Sequence, residues 1–326
     1  MFLEDVTIEG FKSFSESTSM SFQPGIGVIM GNNGVGKSNI LDAIVWALGE
    51  DDLYKLRCQE QEELFFSGNA KYPPAQKIRV ELCFKETPDQ KTPGLRLERQ
   101  LEKGGRESYL SQGEGISLRD FQKQLAEHHL TDALKTIIRQ EQITDLFQLG
   151  PRERLIKIRE LVNGSEQKIL DQRLLTKAGP LFETYLGYLF PEGEGHLQIL
   201  NYQGSPGLEV EVAIKGKQVR KAHQLSGGQK SITSLALKLA LFDSLHSPFY
   251  LLDEVEPSLD YTNHKSMQAL LKSLIEKKQL IMITHLRSTI ELANTLHGVR
   301  SRPDGSSFMK FYFVMNERLL RLYKCC

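Results

Sequence analysis

The stretch GIGVIMGNNGVGKSNILDAIVWALGE, residues 25–50, decides how this chain is read. Its middle, GNNGVGKS at 31–38, has the G-x-x-x-x-G-K-[ST] spacing of a phosphate-binding loop. The flanks carry more weight than the spacing. GIGVIM before the loop is a short apolar run suited to a buried strand. After it, Ile40, Leu41, Ile44, Val45 and Leu48 recur at helical spacing, and Gly49 is a helix stop. Strand, glycine loop and helix in that order aim backbone N–H groups and a helix N-terminus at phosphate oxygens. The residues expected to line the loop are Asn32, Asn33, Gly34, Gly36, Lys37, Ser38 and Asn39. Lys37 is expected to reach the β- and γ-phosphates of a bound nucleotide, and the Ser38 hydroxyl to ligate Mg2+. The competing interpretation is a tight structural turn with an exposed lysine.

Two further strands supply chemistry of the matching kind. FYLLDE, 249–254, sets four apolar or aromatic residues before two carboxylates, as on a buried parallel strand that ends at a site. Asp253 is the candidate for the Mg2+ shell, and Glu254 for polarising the attacking water. By itself such a run is a strand meeting solvent; the phosphate loop changes the balance. QLIMITH, 279–285, ends in His285 at the carboxyl end of a second apolar strand, where a γ-phosphate contact is expected. Gln140, in TIIRQEQITDLF, is a candidate to bridge Mg2+ and the attacking water, against the alternative of a solvated glutamine.

LSGGQKS, 225–231, precedes the apolar run ITSLALKLALFDSLH, a buried helix by its pattern. Ser226, Gly227 and Gly228 then stand at a second helix N-terminus able to hold an anion. One nucleotide does not easily need two such sites from one face of one protomer. A two-fold dimer resolves this: the loop of one copy caps the γ-phosphate bound by the other.

The blocks GNNGVGKSN, LSGGQKS, FYLLDEVEPSLD and IMITH stand in the order of the ATP-binding cassette superfamily, and the chain resembles the heads of SMC (structural maintenance of chromosomes) proteins. The opening IEGFKSF, the helix GKSNILDAIVWALGE and the segment LFETYLGYLFPEGEGHLQIL are similar to that family's, so the resemblance covers nearly the whole chain. There are departures. Asn32 and Val35 stand where the family usually has proline and serine, LSGGQK replaces LSGGEK, and DEVE replaces DEVD. They bear on subfamily and leave Lys37, Ser38, Ser226, Asp253 and Glu254 in place.

The resemblance implies an α/β fold: a two-lobed ATPase head with a mixed, largely parallel sheet, helices and an antiparallel β-rich edge. It implies ATP and Mg2+ as cofactors, with a second head, a kleisin subunit and double-stranded DNA as partners. It also implies a role in chromosome condensation and segregation. Arg57 falls where a family arginine approaches the nucleotide or DNA, and Lys12 with Arg57 is a candidate for a basic path; the alternative is a surface arginine. SMC proteins carry a long coiled coil and hinge between the two halves of the head, yet no sustained heptad run is present. PRERLIKIREL and the following VNGSEQKILDQRLL suggest an excised coil with its junction near 163–170, or a natural helical hairpin. Residues 1–165 are then the half with the phosphate loop and Gln140. Residues 166–326 are the half with LSGGQ, the acidic strand and His285. KIRVELCFKE, GLRLERQL and ESYLSQ alternate as antiparallel strands, and SLRDFQKQLAEHH reads as a helix capped by Ser117.

Composition excludes little. The 326 residues are 40% hydrophobic and 25% charged, with zero formal net charge, so any nucleic-acid patch must be local. No eighteen-residue apolar run suits a membrane span, and the N-terminus lacks the order of a secretion signal. Cys58, Cys83, Cys325 and Cys326 form no C-x-x-C pair, which argues against a zinc site or disulfide framework and for an intracellular location; the resemblance implies a cytoplasmic protein, nucleoid-associated in a prokaryote. The alternatives are a DNA-repair ATPase of the zinc-hook or RecN-like kind, a transporter cassette and a non-hydrolysing nucleotide switch. Glu254 argues against the last, and the lack of a membrane-facing groove pattern against the transporter.

Overall fold

The computed structural model describes residues 1–90, 94–162, 171–172, 174–190, 193–213, 219–255 and 264–314. The expected junction at 163–170, and Cys325 and Cys326, lie outside the described residues. The chain begins with β1 (Phe2–Glu9), β2 (Thr18–Ser21), β3 (Ile26–Met30) and α1 (Lys37–Ala47). There follow β4 (Lys77–Lys85), β5 (Arg96–Glu102), β6 (Glu107–Ser111), β7 (Glu114–Ile116), α2 (Leu118–Glu127), α3 (Leu130–Ala133) and β8 (Ile137–Ile138). The middle comprises α4 (Asp145–Gln148), α5 (Pro151–Val162), α6 (Gly179–Leu189), β9 (Glu194–Tyr202), β10 (Ser205–Ala213), β11 (Arg220–Lys221) and α7 (Gly227–Phe242). The last elements are β12 (Phe249–Asp253), α8 (His264–Ile275), β13 (Gln279–Ile283), α9 (Arg287–Ile290), β14 (Thr295–Ser301) and β15 (Ser307–Val314).

These elements gather into two compact units that interleave along the chain: 1–137 with 247–253 and 274–326, and 138–246 with 254–273. The first unit holds two sheets. One is antiparallel, in the order β2-β1-β4-β5-β6-β7, and contains the three alternating strands expected from the sequence. Alternation is visible in β4, where Ile78, Val80, Leu82 and Phe84 turn inward and the residues between them do not. Five strands of the other sheet lie in this unit, in the order β15-β14-β3-β13-β12. There β14, β3, β13 and β12 run parallel, and only β15 is antiparallel to its neighbour. Every residue of β12 and β13 is buried, which is why both read as unbroken apolar runs.

Helix α1 packs against strands of both sheets. Ile40, Leu41, Ile44 and Trp46 join Phe11, Leu82, Phe249 and Ile281 in one core. The rings of Phe84 on β4 and Phe249 on β12 stack at 6.3 Å between centroids. The C-terminal end of α1 is held by Arg99 on β5. Its Nη1 donates to Trp46 O at 2.8 Å, its Nη2 pairs with Asp51 at 2.5 Å and Glu107 at 3.1 Å, and the guanidinium lies 4.6 Å from the Trp46 ring centroid. A cation there complements the helix dipole and fixes the far end of the helix whose start forms the phosphate loop. Ser117 caps α2 as expected, accepting from Asp120 N at 3.1 Å.

His297 on β14 is wholly buried, with ring centroids of Phe22 at 4.6 Å and Tyr312 at 5.0 Å. Burial pushes its pKa down to about 4, the Ser21 backbone as an acceptor for the ring offsetting only part of the effect. In the unfolded chain the same imidazole titrates near 6.5. Between those values the unfolded state binds the extra proton, so stability is full above about pH 6.5 and declines as pH falls toward 4. Urea unfolding at pH 7.5 and pH 5 is expected to show a loss of about 2 kcal/mol from this group. In His297→Phe that part of the loss should disappear; an unchanged pH dependence would show that the imidazole is not the source.

In the second unit β11, β10 and β9 form an antiparallel sheet, with α5 against β10 and α6 against β9 and α7. Helix α7 is buried from Ser231 through Phe242, as its composition foretells. Its first turn is closed by a capping box: Ser226 Oγ accepts from Gln229 N at 3.5 Å, and Gln229 Oε1 accepts from Ser226 N at 3.1 Å.

Candidate nucleotide-binding site

The loop after β3 turns sharply because its glycines allow it. Gly36 has φ 94 and is the N-cap of α1; a Cβ there would meet Ser307 Oγ at 2.4 Å and Ser13 Oγ at 2.5 Å. Gly31 runs so close to β14 that a Cβ would lie 2.3 Å from Val299 O. Asn32, Asn33 and Gly34 are exposed at the tip, and Val35 is tucked into the core. Lys37, the first residue of α1, is only 5% exposed. Its Nζ donates to Gly31 O at 2.7 Å and Asn32 O at 3.2 Å, and stands 2.9 Å from His285 Nε2. With the lysine donating, that nitrogen accepts and the ring proton sits on Nδ1. Two residues 248 positions apart therefore meet at one point of the loop.

The strand register explains this convergence. Ile29 is level with Ile283, and Ile283 with Asp253, on parallel strands. All three carboxyl ends thus emerge on the same edge, with β12 about 10 Å from β3 across β13. Asp253 closes β12 and is 7% exposed; His285 lies just beyond β13 and is exposed. The first unit brings Lys37, Ser38, Asp253 and His285 to one sheet edge.

Alongside, Asp42 is fully buried on α1. It accepts from Lys12 Nζ at 2.7 Å, and from Arg57 at 3.1 Å (Nε) and 2.6 Å (Nη2). Arg57 Nη2 also donates to Asn39 Oδ1 at 3.4 Å, and Asn39 Nδ2 to Ser13 Oγ at 2.8 Å. Ser307 Oγ lies 2.7 Å from both Ser13 Oγ and Val35 O, tying β15 into the phosphate loop. The Lys12 ammonium, its side chain 10% exposed, is also bonded to Leu56 O. Its charge is directed inward, which corrects the expectation that it contributes to an exposed basic path. Both Lys12 and Arg57 have left-handed backbones, at φ 47 and 58. Next to this network opens a cleft of about 780 Å3, lined by Lys12, Asn39, Arg57, Phe65, Phe66 and Asn69 among others. Its size suits a small-molecule ligand.

The remaining predicted site residues belong to the second unit. Gln140 opens an exposed 3-10 turn, Gln140–Gln142. Ser226, Gly227 and Gly228 are exposed at the start of α7. Gln229 keeps the capping box that a glutamate would make but brings no negative charge, so the helix start stays favourable to an anion. Glu254 follows Asp253 in a left-handed backbone, φ 47, unusual for a residue with a side chain and a form of strain that collects at functional sites.

A family model of the RecF/RecN/SMC N-terminal domain matches residues 2–307. The chain belongs to that family. It is 41% identical over 126 residues to the chromosome partition protein Smc of Mycolicibacterium paratuberculosis, a match covering 38% of this chain and 10% of that protein. The chain thus matches about a tenth of the length of such relatives. Among solved structures, an Smc head bound to the C-winged helix domain of ScpA is similar at TM-score 0.84 and 29% identity, covering 97% of this chain and 99% of that one. The SMC head domain from Thermotoga maritima is similar at TM-score 0.71 and 29% identity, covering 97% and 100%. The fold is that of an SMC head, an ATPase head of the ATP-binding cassette class.

In this SMC head, the network around Asp42 went unread in the sequence. The signal was available: a carboxylate inside the apolar helix NILDAIVWALGE is out of place unless cations meet it. Ser13 and Ser307 gave no such signal, because their meeting depends on a contact spanning 294 positions. Cys83 is on β4 as expected, and half-buried. Burial, with Glu81 beside it, pushes its thiol up to about 11, an inert value.

Proposed function

We propose that the chain is the ATP-hydrolysing head of a chromosome-organising SMC protein, and that it joins a second head when ATP is bound. The observation that carries this reading is the meeting of Lys37, His285 and the buried Asp253 at one edge of a parallel sheet. Asn32, Asn33, Gly34, Gly36, Lys37, Ser38 and Asn39 hold the phosphates, and the cleft beside Asn39 and Arg57 takes the nucleoside. Ser38, Asp253 and Gln140 offer a hydroxyl, a carboxylate and an amide oxygen, a hard donor set that fits Mg2+. When bound, the ion neutralises charge on the β- and γ-phosphates. Lys37 and His285 contact the γ-phosphate, and Glu254 orients and polarises the attacking water. Ser226 and Gly228 of a second copy cap that phosphate. The head is built from two chain halves, 1–165 and 166–326.

A kleisin of the ScpA kind and double-stranded DNA are the proposed partners, with condensation and segregation of chromosomes as the process and the nucleoid as the setting. Among the described residues no helix is long and apolar enough to cross a membrane. The solved neighbours are SMC heads, which favours this reading over a zinc-hook or RecN-like repair ATPase. Calorimetric titration with ATP and Mg2+, followed by phosphate release at saturation, is the test. Binding at about one nucleotide per chain with turnover is expected. Absence of binding would contradict the reading, and binding without any release would leave a nucleotide switch in its place.

A further inference from the structure

Within the second unit, one buried cation joins two of the segments to which the proposed function assigns roles. Lys238 lies on α7, the helix that starts at Ser226, and is 8% exposed. Its Nζ donates to Gln142 O, the last residue of the Gln140–Gln142 turn, and pairs with Asp145 at 2.7 Å. Burial lowers its pKa, with Asp145 opposing the shift. A charge in the apolar stretch LALKLALF carries a desolvation penalty that a leucine or methionine would avoid. The next segment is held from elsewhere. Arg154 on α5, 3% exposed, donates to Leu146 O at 2.9 Å, Leu149 O at 2.8 Å and Leu208 O at 2.8 Å. Helix α4 thus has a second anchor in Arg154, whereas Lys238 holds the carbonyl of the turn and the first residue of α4.

We infer that Lys238 is a positioning residue for Gln140: it fastens the Gln140 turn to the helix whose N-terminus is Ser226. The twelve helical residues from Gly227 to Lys238 span roughly 18 Å, buried over most of that length. Docking of a partner's phosphate at Ser226 is thereby felt at the Gln140 turn through one rigid element and one charged anchor. The inference rests on the proposed ATPase reading for its consequence, but not for the anchor itself.

The test uses Lys238→Met, which keeps the length of the side chain and removes its charge. Three results are expected. Amide hydrogen exchange at residues 140–145 speeds up about tenfold while α7 stays protected. The kcat for ATP hydrolysis falls about tenfold with ATP affinity within about twofold. The melting temperature falls by no more than a few degrees, because the desolvation cost of the buried ammonium goes with its bonds and the Asp145 carboxylate left behind is partly exposed to water. A merely structural lysine would lower stability and leave kcat alone. Asp145→Asn, at a partly exposed position, is the second variant and should show the same pattern more weakly. Lys238→Arg, which keeps the charge, should retain most of the turnover. Unchanged exchange at 140–145 in both neutralised variants, or unchanged kcat in folded Lys238→Met, would overturn the inference. If the wild-type chain hydrolyses no ATP, the functional reading fails on its own, and the exchange measurement still decides whether Lys238 is the anchor.

Discussion

Lys37→Ile is expected to lower ATP affinity at least 100-fold, to the point where calorimetry detects no saturable binding. The lysine is the first residue of α1, and its ammonium already lies against the loop carbonyls of Gly31 and Asn32. On binding, the phosphate oxygens replace those carbonyls with charge-assisted hydrogen bonds, each worth about 1.5–3 kcal/mol. Two such bonds account for a factor of 100 or more. The substitution also removes bonds to two loop carbonyls and the one to His285, so a modest drop in melting temperature is expected. Binding must therefore be measured well below the variant's melting point. Wild-type affinity in a folded variant would remove the loop from the site.

Glu254→Gln is expected to bind ATP within about twofold of wild type and to hydrolyse it at least 100 times more slowly. The amide is nearly isosteric, and the left-handed backbone at φ 47 is no more strained for glutamine than for glutamate. What is lost is the negative charge that polarises water, and a positioned base contributes about 100- to 10,000-fold. Asp253, the neighbouring carboxylate, stays in place at the end of β12, so the metal-binding donors are not disturbed. Normal turnover would take Glu254 out of the mechanism.

The strong elements were legible because each is local. β3, α1, β12 and β13 announce themselves by apolar runs or helical spacing, and the structure places them where the pattern does. The alternating β4, β5 and β6 were equally plain. What the sequence hid are arrangements that only tertiary packing creates. Lys12 looked like a surface cation, yet it turns inward because Asp42 is buried below it. Ser307 meets Val35 O only because β15 folds back along β14, which itself lies beside β3. Lys238 stands inside an apolar helix, where a lysine must have partners, and Gln142 O and Asp145 are those partners. Gln140 could be picked out by residue type, but not the 3-10 turn that presents it.

In the proposed function, the loop at Ser226 completes the nucleotide site of another copy. Sedimentation velocity of Glu254→Gln, with and without Ser226→Arg, in ATP and Mg2+ and then in ADP, tests it most directly. Ser226 is exposed at the start of α7, so an arginine has room there; it gives up the bond from Gln229 N, a cost of about 1 kcal/mol, and blocks the approach of a partner's phosphate. A dimer is expected for Glu254→Gln in ATP, monomers in ADP, and monomers for the double variant in either nucleotide, with the double variant's monomer still binding ATP as tightly as the Glu254→Gln monomer. A double variant that dimerises like Glu254→Gln, or one that loses ATP affinity as severely as Lys37→Ile, would contradict it.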